Sequence, residues 1–376
     1  MARDQVHYFG AGPALLPSEV IEQAASDFVS YKENGIGLGE ISHRSGDATA
    51  VINDAKSKII KLLDIPDTHE VFFGQGGGSG GFAAVVMNLS AAYAARTHKK
   101  GKVDYFVTGS WSSKAANEAK RLGLEVNLVL DPKLVPRGGK KFGAIPPKST
   151  WKFSDPKETA YVYYCDNETV DGVEFQTIPD VPEGVELVAD MSSNFLSKQI
   201  DVSRFGLIFG GAQKNIGIAG VSLYIIKKSL LTSLPPAELI QLGIPVVPTF
   251  LDFQEIVKNN SAYNTVSIFA VRVVELNMDY LLAKGGLKVQ EAQSDRKAER
   301  LYEAIDKYPQ LFKSPVEKDC RSRMNVVFNI VGDGAEELFV KQASAKGLTG
   351  IKGHRSVGGI RISNCKYKSA GPIANL

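Results

Sequence analysis

The chain reads as an α/β protein: a large domain on a mostly parallel sheet flanked by helices, then a smaller C-terminal α+β domain. Three features carry that reading. Short apolar runs recur at 71–73, 103–107, 126–130, 161–165, 187–189, 207–209 and 221–226, and runs that are unbroken rather than alternating belong to strands buried on both faces. Helical patterns, 82–95 and 113–122 among them, separate several of these runs, which is the order of βαβ units. After Asn259-Asn260 the texture changes to two long helical patterns, a strand, another helix and a last strand. The division implied is an N-terminal segment over 1–14, a large domain over 15–258 and a small domain over 259–376.

Taken in order, Val20, Ile21, Ala24, Ala25 and Phe28 recur at helical spacing behind Pro17, so a first helix runs to about Tyr31. A glycine loop at 35–39 follows. Ser42-His43-Arg44-Ser45-Gly46 then leads into a second helix carried by Val51, Ile52, Ala55, Ile59, Leu62 and Leu63. That leaves His43 and Arg44 on a connector, where functional residues concentrate. In the small domain the patterns predict helices over 266–283, 289–308 and 335–345 and strands over 324–330 and 359–363.

With 376 residues, 44% of them hydrophobic and 23% charged, the chain is no disordered, collagen-like or disulfide-scaffold protein, and one core seldom grows this large. A net charge of +3 gives no reason to expect nucleic acid or membrane as a main partner. Cys165, Cys320 and Cys365 lack CxxC spacing and the five histidines lack an HExxH pattern, which speaks against a disulfide framework and zinc alike. A reducing, cytoplasmic setting is expected. No apolar signal core follows Met1, and the uncharged stretch over 71–95 is too crowded with glycine in its first half to be a span.

The chemistry begins at Gly74-Gln75-Gly76-Gly77-Gly78-Ser79-Gly80-Gly81, between a strand and a helix. There, backbone without side chains wraps a phosphate and the helix start offers unpaired N–H groups. The segment also satisfies GxGxxG, but a dinucleotide fold wants an acid at the end of the next strand, and Asp104 sits at its beginning. Glu186-Leu187-Val188-Ala189-Asp190 places a carboxylate at the end of a buried strand, where parallel sheets face their ligand crevice. Gly210-Gly211-Ala212-Gln213-Lys214-Asn215 puts a lysine just past another strand. A phosphate cup, a strand-end aspartate and a lysine together are what pyridoxal phosphate requires: the lysine condenses with its aldehyde, and the aspartate keeps its pyridine nitrogen protonated.

Six segments in order, Phe9-Gly10-Ala11-Gly12-Pro13-Ala14-Leu15-Leu16-Pro17, Glu40-Ile41-Ser42-His43-Arg44, Gly76-Gly77-Gly78-Ser79-Gly80, Cys165-Asp166-Asn167-Glu168-Thr169-Val170-Asp171-Gly172, Gly211-Ala212-Gln213-Lys214-Asn215-Ile216-Gly217 and Gly353-His354-Arg355-Ser356-Val357-Gly358-Gly359, resemble the phosphoserine aminotransferase family. The likeness runs from about residue 8 to Ser363. It implies a fold type I, class V, pyridoxal phosphate-dependent homodimer that moves an amino group from L-glutamate to 3-phosphohydroxypyruvate in L-serine biosynthesis, by a ping-pong cycle. By resemblance, Lys214 would hold the cofactor covalently, Asp190 would pair with its pyridine nitrogen, Trp111 would stack on its ring and Thr169 would bond near its ring oxygen. Gly78, Ser79 and Gln213 would hold the phosphate, with Asn264 and Thr265 reaching in from the partner subunit. Arg361 would take the substrate α-carboxylate, while His43, Arg44, His354 and Arg355, some of them from the second subunit, would surround the distal phosphate or carboxylate. Planar arginine forks suit such anions. Arg323 reads as a solvated bystander.

The chain departs from the family at two places. Val266-Ser267 follows Asn264-Thr265 where a proline pair is expected, and after Ser363 a short polar tail replaces a closing helix, which predicts an exposed face and lower stability. Two alternatives follow: an NAD-dependent oxidoreductase, which explains the glycine loop but not Lys214, and a catalytically impaired, cofactor-free homologue.

Overall fold

The computed structural model describes residues 6–131 and 142–364, so the altered tail beyond Asn364 lies outside the described residues. β1 (His7–Tyr8) is followed by α1 (Ser18–Val29) and α2 (Gly46–Leu63), whose start is capped by Ser45 Oγ accepting the Ala48 N–H at 3.1 Å. Next come β2 (His69–Gly74), α3 (Gly77–Thr97), β3 (Lys102–Phe106), α4 (Ser110–Arg121), β4 (Val126–Leu130), β5 (Thr159–Cys165), β6 (Glu186–Asp190), β7 (Leu207–Gly211) and β8 (Ser222–Lys227). They form one seven-stranded sheet in the order β2-β8-β7-β6-β5-β3-β4. β4, β3, β5, β6 and β7 pair in parallel, and β8 runs against both of its neighbours. The reversal has a local cause, because the loop from β7 to β8 is too short for the crossover that parallel pairing needs.

Neighbouring residues along each strand fall into opposite cores. Phe73, Val162, Tyr164 and Ile208 join Val51, Ile52 and Ile59 of α2 on one face. Phe72, Tyr161, Tyr163, Leu207 and Phe209 join Phe82 and Val85 of α3 on the other. Both faces are dry, hence the unbroken apolar runs. α3 itself is buried almost all round from Phe82 to Ala94, which is why its sequence imitates a span. Among the described residues no helix is long and apolar enough to cross a membrane.

α5 (Pro236–Gln241) and α6 (Phe253–Lys258) lead to α7 (Ile268–Ala283), α8 (Gly286–Lys307), β9 (Phe312–Lys313), β10 (Asn325–Ile330), α9 (Ala335–Ala345), β11 (Leu348–Thr349) and β12 (Ile360–Ser363). α7 starts at Ser267, whose Oγ accepts the Ala270 N–H at 3.3 Å, so this departure from the family supplies a helix cap, and Asn264-Thr265 does not. The texture change assigns α7 to the small domain, yet Val271, Val274 and Met278 sit in the same core as α2. Apolar periodicity tells that a helix has a buried face but not which neighbour covers it. The smaller unit is the antiparallel sheet β12-β10-β9 with Leu301 and Ile305 of α8 and Ala343 of α9 packed on it. The N-terminal segment belongs to its edge: β1 pairs in parallel with β11, and Phe9 joins that core.

Candidate active site

A cavity of about 610 Å³ opens at the carboxyl ends of the parallel strands, where the fold rule puts a ligand crevice. Its wall takes Gly76, Gly77, Gly78 and Ser79 after β2, Trp111 after β3, Asn167 and Thr169 after β5, Asp190 and Ser192 from the end of β6, and Gln213 and Lys214 after β7. Gly12, His354 and Arg361 close it from the smaller unit's side. Residues scattered over most of the chain meet here because each strand delivers its own loop to one edge.

At the glycine loop, Gly76 precedes α3 with φ +98°, and a Cβ there would stand 3.0 Å from Gly80 Cα. A side chain would therefore both strain the backbone and close the cup. α3 begins with no side-chain cap and no acidic residue in its first turn, so its leading N–H groups are left for an anion. Gln213 is anchored by its backbone carbonyl, which accepts the Ala14 N–H at 2.9 Å.

Asp190 is 4% exposed, and Ser192 donates to its Oδ1 twice, from N–H at 2.8 Å and from Oγ at 2.6 Å. Burial lifts its carboxyl above the usual range, opposed by the Ser192 bonds and by the charge of Lys214. Lys214 is 7% exposed, and its Nζ donates to Thr169 Oγ1. A buried amine and a buried carboxyl thus face one cavity within reach of each other's field. The Thr169 carbonyl accepts from Arg361 Nη1 at 3.4 Å, which ties β12 to the same loop. Trp111 presents an indole whose Nε1 is buried with no protein partner. His354 Nδ1 bonds Ser356 Oγ at 2.6 Å, and burial followed by Arg361, Arg355 and Lys114 pushes its ring below the usual imidazole value.

Five expected residues lie elsewhere. Arg44 and Arg355 are exposed and off the cavity wall, as are Asn264 and Thr265. Asn264 Nδ2 donates to Gln75 Oε1 at 2.7 Å, and the Thr265 carbonyl accepts from Gln75 Nε2 at 3.2 Å. His43 is half-buried off the wall, its Nε2 buried with no partner. The dinucleotide alternative loses its acid, because Asp104 is 0% exposed and spent on Ser154 (2.9 and 2.7 Å) and Asn127 (3.1 Å).

The family model for class-V aminotransferases matches residues 6–376, and the phosphoserine aminotransferase of Saccharomyces cerevisiae is 48% identical over 100% of this chain and 96% of its own length. The chain belongs to the class-V aminotransferases, in the phosphoserine aminotransferase family. The Drosophila melanogaster phosphoserine aminotransferase is 43% identical over 94% of this chain and 92% of its own. Among solved structures, the Bacillus circulans subsp. alkalophilus phosphoserine aminotransferase superposes with TM-score 0.86 at 35% identity, covering 98% of this chain and 96% of that one. The pyridoxal phosphate-bound enzyme of Trichomonas vaginalis gives TM-score 0.84 at 35% identity, covering 98% and 99%.

Three features in and around the cavity of this class-V aminotransferase escape sequence reasoning. Ser192, two residues past the strand-end acid, holds Asp190 in place, and that spacing was the signal available. Asn167 Nδ2 donates at 2.8 Å both to Ser193 Oγ and to Asn325 Oδ1, bridging the cavity wall to β10. Arg323, read as a bystander, is instead a partly buried ion-pair partner of Glu174 (3.1 Å) and Asp295 (2.7 Å). Nothing near Arg323 in sequence announces those carboxylates.

Proposed function

We propose that this chain is a transaminase that moves the amino group of L-glutamate to 3-phosphohydroxypyruvate, giving O-phospho-L-serine and 2-oxoglutarate for L-serine biosynthesis, with pyridoxal phosphate as cofactor. The observation that carries it is the convergence of Lys214, Asp190 and the uncapped start of α3 on one cavity.

The donor set fits that cofactor at each end. The first N–H groups of α3 with Gly78, Ser79 and Gln213 would take the phosphate, Asp190 the pyridine nitrogen, Trp111 the ring face and Thr169 the neighbourhood of the ring oxygen. When bound, pyridoxal phosphate supplies the carrier for the amino group and the sink for the electrons released at the substrate's Cα. Lys214 Nζ, kept in register by Thr169 Oγ1, moves the Cα proton. Asp190, fixed by Ser192, holds negative charge where the pyridine nitrogen must stay protonated. Arg361, steadied at the Thr169 carbonyl, takes the substrate α-carboxylate, and His354 stands by for the distal anion.

Asn264 and Thr265, with some of His43, Arg44 and Arg355, would serve the active site of a second copy in a homodimer; their place off this chain's cavity wall supports that reading. Cys165 and Cys320, both free and buried, support a cytoplasmic setting. The enzyme acts on small molecules, with neither nucleic acid nor membrane as partner.

The test is the purified protein loaded with pyridoxal phosphate. Its visible spectrum should shift on adding glutamate, phosphoserine should form once 3-phosphohydroxypyruvate is present, and borohydride should fix the cofactor's mass on Lys214. Lys214→Ala should lose all three. Normal turnover or a borohydride-fixed lysine in that variant would sink the assignment.

A further inference from the structure

Glu168 stands between two residues of the cavity wall, Asn167 and Thr169, but is not itself on that wall. It is 0% exposed. Its carboxylate reaches the start of α4, where Oε2 accepts the Trp111 N–H at 2.8 Å and Oε1 accepts the Ser112 N–H at 2.9 Å and the Ser112 Oγ–H. An acid at a helix start is stabilising, and it usually comes from the helix's own first turn or cap. Here α4 has no acidic residue in its first turn, and its acids arrive from the loop after β5: Glu168, and Asp171, whose Oδ2 accepts the Ser110 N–H at 2.7 Å. The fit is close on the other side too, since a Cβ on Gly109 would lie 2.4 Å from Glu168 Cγ and Cδ.

One residue therefore touches both sides of the cavity. Through its side chain it holds the backbone of Trp111. Through its peptide bond it holds Thr169, whose Oγ1 accepts from Lys214 Nζ and whose carbonyl accepts from Arg361. The Trp111 ring meets Phe82 at 6.4 Å between centroids and Lys114 Nζ at 4.2 Å, neither of which fixes it against Lys214.

We propose that Glu168 is a positioning residue that sets where the Trp111 ring stands relative to Lys214, and so how firmly the cofactor is gripped between them. This rests on the pyridoxal phosphate reading above. A carboxylate serves here because it offers two acceptor oxygens to donors converging from Trp111 and Ser112. Glutamine keeps the shape but presents an amide N–H₂ to one of them.

The experiment compares loaded wild type, Glu168→Gln and Gly109→Ala, the last pressing on the same contact from the backbone. In each, borohydride should still fix the cofactor on Lys214. The visible circular dichroism per bound cofactor should fall in both variants, and cofactor release into an excess acceptor should quicken roughly tenfold, the effect of one charge-assisted bond. Unchanged dichroism and release in either soluble variant, with only a lower melting temperature, would mean a merely structural acid and would overturn the proposal. Should Glu168→Gln fail to fold, Gly109→Ala decides by the same readouts. Wild type that takes up no pyridoxal phosphate would take down both this proposal and the reading beneath it.

Discussion

Replacing Asp190 by asparagine should separate stability from chemistry. The carboxyl is 4% exposed, and burial, the largest influence on it, holds it above the usual carboxylate range against the Ser192 bonds and Lys214. In the cofactor-free protein the charged form is thus less favourable inside the fold than in water. Asparagine keeps an Oδ1 acceptor for the Ser192 N–H and Oγ–H and removes the charge. Cofactor-free Asp190→Asn should therefore exceed wild type in stability at about pH 8 by roughly 1–2 kcal/mol, which for a chain this long is roughly 1–3 °C in Tm. The sign follows from linkage. A raised carboxyl gives wild type its full stability below the unfolded value and loses it as pH rises through the folded one, so the gap should narrow as pH is lowered toward the unfolded carboxylate value. The loaded variant should lose ~3–4 kcal/mol of transition-state stabilisation, ~10²–10³ in kcat/KM, because a fixed charge partner has gone. Calorimetry of the cofactor-free proteins and single-turnover spectra with glutamate read the two halves. A cofactor-free Asp190→Asn that melts below wild type at about pH 8 would refute the claim that burial dominates.

Arg361→Lys replaces a planar fork with a point charge, so KM for glutamate should rise roughly ten- to a hundredfold with a smaller change in kcat; steady-state kinetics with either substrate limiting will show it. Asn325→Ala takes away one of the two bonds of the buried Asn167 Nδ2 (2.8 Å) and the donor to Ser363 Oγ (2.9 Å), and should cost roughly 2–3 kcal/mol in urea unfolding. A midpoint equal to that of wild type would mean the bridge carries no stability. Glu168 is pushed up to about 7 by burial and then by Asp171, against the bonds from Ser112 and Trp111. Its contribution is present below its unfolded value and disappears as pH climbs through about 7. Stability should thus fall by on the order of 3 kcal/mol over that rise, a slope that Glu168→Gln should remove when melting is followed against pH.

What the sequence reveals follows from what it encodes locally. The strands are readable because burial on both faces demands unbroken apolar runs, and Asp190 and Lys214 are readable because they stand at or just past the ends of such runs. The home of α7 is not readable from periodicity, since it depends on which surface comes near, and the reversal of β8 rests on the length of the loop before it rather than on apolar pattern. Likewise Arg323 looks solvated until Glu174, far off in sequence, is folded against it. Arg355, Asn264 and Thr265 had only family resemblance to recommend them, His43 and Arg44 a place on a connector besides, and one chain brings none of the five to the cavity wall.

Glu168 and Asp190 make a useful pair, because both are buried carboxyls raised chiefly by loss of water. Their hydrogen bonds tell them apart. Glu168 receives donors on both oxygens, two N–H groups and a hydroxyl, all from the start of α4, and it sits off the cavity wall. Asp190 receives Ser192 on Oδ1 alone and is part of the wall. An acid whose acceptors are all engaged by the start of a helix acts only through what it positions; an acid whose donors crowd one oxygen, beside a cavity, is primed to take a cation from a ligand. Burial raises both groups alike, so a raised carboxyl by itself does not identify the chemical one. What identifies Asp190 is that the fold has left its remaining need for charge compensation pointing at the same space as Lys214.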